Sequence, residues 1–112
     1  GRTFRAVAQE LKLRVKPSSP QDYIPRFCSI LSLPQTTETQ AMSLLTDAER
    51  IELTAGRGPT GIAAASVYLA SLMTKNARTQ KEVSDAAGIT EVTIRNRYKE
   101  LCSALAINPQ DY

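Results

Sequence analysis

The sequence contains no histidine and no tryptophan, and only two cysteines, Cys28 and Cys102, which lie far apart. Without histidine there is no Ser/His/Asp triad, no Cys/His nucleophile and no imidazole general base, and without clustered Cys/His ligands there is no zinc ribbon. Most enzyme classes are thereby excluded, and no cofactor is expected. Gly56-Arg57-Gly58-Pro59-Thr60-Gly61 has glycines but not the Gly-Lys-Ser/Thr ending of a phosphate-binding loop. No apolar run approaches the roughly 20 residues of a membrane helix, and Gly1 to Leu13 lacks the unbroken apolar stretch of a signal peptide. No membrane partner is expected. Both cysteines sit within apolar periodic segments and read as buried free thiols rather than a disulfide.

At 112 residues, 42% of them hydrophobic and 22% charged, the chain is long enough for one core without staples. Its 14 basic residues against 11 acidic ones give a net charge of +3, an excess that permits a nucleic-acid surface without establishing one.

Strand signals are nearly lacking, and helical spacing runs from end to end, in five or six helices. Arg2 to about Leu13 carries Phe4, Val7, Ala8 and Leu11 on one stripe. A helix opening at the first residue has little room for a cap, as expected of a chain cut from a longer protein. Arg14 to Ser19 is a linker, since each residue before a proline is pushed out of the helical region. The next helix starts either at Ser19 with Pro20 in first place, or at Asp22 with Pro25 in the first turn. It presents Tyr23, Ile24, Phe27, Ile30 and Leu31, and Pro34 closes it. A helix from about Thr36 to Ala55 presents Ala41, Leu44, Leu45, Ala48, Ile51 and Ala55, with Gly56 its expected left-handed stop. From Pro59 to Thr74 no side chain is charged. A helix of about 15 residues, roughly 22 Å, that is small or apolar on all sides must lie in the middle of a bundle.

The end of the chain is different in kind. Thr79-Gln80-Lys81-Glu82 offers a capping box, a short helix ends at Ala86-Ala87-Gly88, and Thr90 caps another helix almost at once. Two helices joined by so tight a turn, with glycine at the bend, form a helix-turn-helix pattern. On the second of them, Thr90 to Leu105, the 100° projection puts Ile94, Tyr98, Leu101 and Leu105 on one side and Val92, Arg95, Asn96, Lys99 and Ser103 broadly opposite. Arg can bind guanine bidentately, Asn can pair with adenine, Val can touch a thymine methyl and Lys can reach a phosphate. The same face also fits an ordinary solvated surface with one exposed valine.

These residues carry a family resemblance. Thr79-Gln80-Lys81-Glu82-Val83 followed by Gly88-Ile89-Thr90-Glu91-Val92-Thr93-Ile94-Arg95-Asn96-Arg97-Tyr98-Lys99-Glu100-Leu101 closely resembles the end of the second cyclin-like repeat of transcription initiation factor B, archaeal counterpart of eukaryotic factor IIB. Ala63 to Ser71 resembles the family's central third helix, Asp22 to Phe27 its first, and Gly1 to Leu13 the last helix of the preceding repeat. Phe4-Arg5 and Val7 fall into step with Tyr98-Lys99 and Leu101. The resemblance implies an all-α, cyclin-like five-helix bundle around a central helix, ending in a helix-turn-helix. It implies residues 1–19 as the end of the first repeat plus linker, 20–107 as the second repeat with the helix-turn-helix at 79–105, and 108–112 as a tail.

It further implies binding to double-stranded promoter DNA at the B recognition element, upstream of the TATA box, beside the TATA-binding protein. RNA polymerase would be engaged through regions outside this chain. The expected site comprises Val92, Thr93, Arg95 and Asn96 on the recognition helix, Lys99 one turn on, Arg57 and Gly58 before the central helix, and Thr79 and Gln80 at the start of the helix-turn-helix. Gly58 departs from the family's Ser or Thr, leaving backbone amides and Arg57 for a phosphate. A monomer is expected, cytoplasmic in an archaeon and nuclear in a eukaryote. The alternative is a cyclin-like protein-interaction module without sequence-specific DNA binding. A stand-alone helix-turn-helix repressor would need a dimerisation surface that nothing here announces.

Overall fold

The computed structural model describes residues 19–52 and 58–108. The expected helix from Arg2 to Leu13, the linker up to Ser18, Ala55, Gly56, Arg57 and the tail beyond Asn108 lie outside them. Five helices follow in order: α1 (Pro20–Ile30), α2 (Gln35–Arg50), α3 (Pro59–Met73), α4 (Gln80–Ala87) and α5 (Glu91–Ala104). No strand occurs among the described residues, and the architecture is the all-α bundle expected.

Every other helix packs on α3. Its residues from Gly61 to Val67 are buried without a break, and Leu69, Ala70 and Ser71 follow. Alanine and serine are short enough for neighbours on all sides to come close. Helix α1 brings Ile24, Phe27 and Cys28 to this centre, α2 brings Ala41, Leu44, Leu45 and Ala48, α4 brings Val83, and α5 brings Ile94 and Leu101. Each fully buried Leu or Ile is worth roughly 1.5–3 kcal/mol against its exposed state. The two buried serine hydroxyls of α3 donate back into the helix: Ser66 to the Ile62 carbonyl at 2.9 Å and Ser71 to the Tyr68 carbonyl at 2.6 Å.

The start of α1 is settled at Ser19. This residue is extended (φ −87°, ψ 161°), its N–H donates to the Asp22 carboxylate at 3.1 Å, and Pro20 takes the first helical position, where a missing N–H costs nothing. Pro25 therefore lies inside the helix. Pro34 does not close α1, which stops at Ile30; it caps α2 instead.

Four turns place a non-glycine residue in the left-handed region: Ser32 (φ 56°), Glu52 (φ 61°), Lys75 (φ 61°) and Ala106 (φ 56°). After α1, α3 and α5 the residue beyond it closes the reversal, with Leu33 N–H on Cys28 O (2.8 Å), Asn76 N–H on Ser71 O (2.8 Å) and Ile107 N–H on Cys102 O (2.9 Å). These 6→1 bonds satisfy carbonyls the helix ends leave open. Helix α2 ends earlier than its pattern predicts, at Arg50 rather than Ala55, because the chain reverses at Glu52 instead of waiting for Gly56. Ile51 is consequently at the helix end, off the core stripe, and 49% exposed.

Both cysteines are free thiols, Cys28 buried and Cys102 only half-buried. Burial, with the Glu38 charge adding to it, pushes the Cys28 thiol up from 9.0 to about 11. The folded chain thus disfavours the thiolate. The stabilising contribution is fully present below about pH 9 and is lost as pH rises through about 11. Denaturant unfolding across that window should show stability falling with pH, and the slope should be shallower in Cys28→Ala.

Gly88, which joins α4 to α5, has φ 72° and open space around the position of a Cβ. Gly88→Ala should therefore cost only the left-handed backbone penalty, about 1 kcal/mol, with no clash. A thermal melt of the purified variant checks this.

Candidate nucleic-acid interface

The helix-turn-helix is held by three local devices. At the start of α4 the Thr79 hydroxyl accepts from the Glu82 N–H at 3.0 Å, and the Glu82 carboxylate accepts from the Thr79 N–H at 2.9 Å. At its end the N–H groups of Gly88 and Ile89 both donate to the Ser84 carbonyl, at 2.8 and 3.1 Å. At the start of α5 the Thr90 hydroxyl accepts from the Thr93 N–H at 3.2 Å. The turn between the helices is thus set by backbone and cap bonds between residues close in sequence, which is why its signature is readable there.

Tertiary packing fixes the rotation of α5. Ile94 and Leu101 are fully buried, and Tyr98 meets Tyr68 of α3 edge-on, ring centroids 4.9 Å apart at 76°. Burial foremost, with Cys102 and Tyr68 beside it, pushes the Tyr98 phenol up to about 12. Opposite this seam stand Val92, Arg95, Asn96, Lys99 and Ser103, all exposed, Val92 at 55%. The side chains of Arg95, Asn96 and Lys99 project from the helix into solvent. A helix face with two exposed cations, an amide and an apolar side chain can offer donors to guanine or phosphate, a bidentate amide to adenine and a methyl contact to thymine.

Other expected site residues fall in different places. Thr93 is half-buried, its hydroxyl 3.1 Å from that of Thr90 and its methyl towards α3. A Cβ on Gly61 would lie 3.2 Å from the Thr93 Cγ2 and 3.4 Å from the Arg97 Cγ, so the first turn of α3 crosses α5 closely enough that a side chain there would need Thr93 to give way slightly. That crossing brings Gly58, the exposed N-cap of α3, to the same end of the molecule as the start of α5. Gly58 supplies no side-chain oxygen for the cap, so the first α3 amides are without a hydroxyl partner there. Arg57 lies outside the described residues. Thr79 and Gln80 stand at the far end of α4, a helix of 8 residues, or about 12 Å.

Arg97 carries no signal of its own in the pattern, yet it joins α5 to α3. Its stem covers Gly61, and its guanidinium pairs with Glu100 at 3.0 and 3.3 Å, both side chains largely sheltered. The i, i+3 spacing of Arg97 and Glu100 was the available clue.

With this geometry established, similarity to known proteins can be placed on it. Residues 13–104 match the Transcription factor TFIIB repeat family. The chain is 55% identical over 108 residues to transcription initiation factor IIB 1 of Thermoplasma volcanium, and 56% identical over 107 residues to transcription initiation factor IIB of Methanothrix thermoacetophila. The counterpart from Archaeoglobus fulgidus is 54% identical over 107 residues. Each match covers 96% of this chain but only 32–35% of the relative, so the chain spans about one third of their length. These relatives are transcription initiation factors, not enzymes. With a family match that takes in all five helices described above, the chain belongs to the Transcription factor TFIIB repeat family.

Proposed function

We propose that residues 20–107 are a second cyclin-like repeat that binds promoter DNA upstream of the TATA box, together with the TATA-binding protein. RNA polymerase is recruited through parts of the protein outside this chain. The observation that carries this proposal is the outer face of α5, on which Val92, Arg95, Asn96 and Lys99 are all exposed to solvent. Family membership adds the transcriptional context.

In this arrangement α5 lies in the major groove. Arg95 and Asn96 meet base edges, Val92 a thymine methyl, and Thr93 the edge of the groove beside α3. Lys99 takes a phosphate one turn on. Arg57, Gly58 and the first amides of α3 take another, since the positive end of a helix dipole suits an anion. Thr79 and Gln80 at the start of α4 contact the opposite backbone. The length of α4, about 12 Å, is close to the width of the groove. The protein acts in the cytoplasm of an archaeal cell, as a monomer on the DNA.

A gel shift with a TATA-containing promoter, with and without the TATA-binding protein, tests the proposal on intact and scrambled upstream elements. Alone, a domain of net charge +3 with one recognition helix should bind weakly, with affinity that falls as salt rises. A preference for the intact element should appear with the partner present. Absence of any DNA binding under low salt leaves the protein-interaction module as the better description.

Two substitutions should separate reading from anchoring. Arg95→Ala should cost about 1–3 kcal/mol on the intact element and much less on the scrambled one. Arg57→Ala should weaken both about equally and lower the salt slope by about one. Titrations of both probes at several salt concentrations give these quantities.

Val92→Ala should leave folding stability within about 0.5 kcal/mol, since the side chain is mostly exposed. Discrimination at one base position should nevertheless relax. Thermal melts alongside single-base promoter variants measure the two effects.

A further inference from the structure

Helix α4 cannot set its own tilt. It has 8 residues, below the length at which isolated helices persist, and it buries only Val83 and Ser84. Beyond this narrow seat on α3, its pose depends on how its two ends are held. The Gly88 turn ties the far end to α5; the near end follows directly from Arg78.

The Arg78 guanidinium spends all five N–H donors on backbone carbonyls. Nε donates to Leu31 O at 3.1 Å, and Nη2 to Leu31 O at 2.9 Å and Ser32 O at 3.4 Å. Nη1 donates to Asn76 O at 3.0 Å and Ala77 O at 3.2 Å. The Arg78 N–H donates in turn to the Ser71 hydroxyl at 3.2 Å. Leu31 is the C-cap of α1, which has no basic residue in its last turn, so Arg78 brings from the distant α3–α4 turn the cation that a helix C-terminus favours. It also fastens the left-handed Ser32 turn.

We propose that Arg78 is a positioning residue for the helix-turn-helix: by locking the start of α4 to the C-terminus of α1, it fixes how Thr79, Gln80 and α4 are presented to DNA. A planar fork bridging two chain segments is something lysine cannot replace. The proposal rests on the DNA-binding function above, so its test has one arm that needs no DNA.

The test compares Arg78→Lys, which keeps the charge but loses the fork, with the wild-type chain, and uses Arg78→Ala as a second variant. In the free protein, amide hydrogen exchange across Gln80–Ala87 should quicken at least about tenfold in Arg78→Lys, while α2 and the central part of α3 keep their protection. On DNA with the TATA-binding protein, the ratio of affinities for intact and scrambled elements should fall about tenfold, with the salt slope unchanged because the charge remains. Arg78→Ala should show the same loss of discrimination and, if it unfolds, leaves the lysine variant to decide. Wild-type α4 exchange in Arg78→Lys would overturn the proposal. So would equal loss of affinity for both elements with a lowered melting temperature, the mark of a merely stabilising tie. Faster α4 exchange in a protein whose wild type shows no element preference would keep the lock and overturn the DNA function instead.

Discussion

A helix with no charged side chain, buried on nearly every side, imposes the rest of this structure. Because α3 is built from Ala, Ser, Gly and a few aliphatic residues, it has no preferred buried face, and stability requires that other helices cover all of it. Each of the other four helices therefore needs only one apolar stripe, and each has one. The small side chains also set how close those helices come. At Gly61 the approach of α5 leaves no ordinary room for a Cβ, and Thr93 and Arg97 rest there. The face of α5 turned to solvent is the remainder after this packing: once Ile94, Tyr98 and Leu101 are committed to α3, the positions of Val92, Arg95, Asn96 and Lys99 follow from 3.6 residues per turn.

The sequence carried this part well, because its signals are local or periodic. The capping box at Thr79 and Glu82, the left-handed glycine at 88 and the cap at Thr90 lie within a few residues of the bonds they form. The extent of α3 was legible from its lack of charge. The exposure of Val92 and burial of Ile94 followed from the projection. What could not be seen were features that the local pattern does not mark. Helix α2 stops at Arg50 although its pattern continues, and nothing near Glu52 marks it for a left-handed conformation. Pro34 looked like a stop and is a cap. Nothing local marks the roles of Arg78 and Arg97, because the carbonyls of Leu31 and Ser32 and the gap at Gly61 are remote in sequence.

The non-glycine reversals have a common logic. Left-handed backbone costs an ordinary residue roughly 1–2 kcal/mol, which the bonds made around Ser32, Lys75 and Ala106 must offset. At Ser32 the compensation is visible in the Leu33-to-Cys28 bond and the Arg78 fork. At Lys75 it is the Asn76 amide, whose side chain donates to the Thr74 carbonyl at 2.9 Å and approaches the Thr37 and Thr74 hydroxyls at 3.3 and 3.2 Å. Thr37 is fully buried, and its hydroxyl lies 2.7 Å from that of Thr74, so the start of α2 and the end of α3 share one polar cluster with no orphan.

These two clusters flank the same short turn, residues 74–78, from which α4 departs. The hydrophobic contacts of α3 tolerate small rotations of a packed helix, since they are non-directional. Hydrogen bonds to a guanidinium fork and between buried hydroxyls do not, because they weaken steeply as angles open. The bundle thus divides its tasks by the physics of its contacts: apolar burial around α3 supplies the cohesion, and directional polar bonds at the 74–78 turn supply the angle. A helix-turn-helix needs both, since a groove contact is useful only when the helix is aimed to within the reach of a side-chain hydrogen bond. The bonded polar side chains of Thr37, Thr74, Asn76 and Arg78 accordingly gather at the turn that launches α4, while Arg95, Asn96 and Lys99 stand exposed on α5.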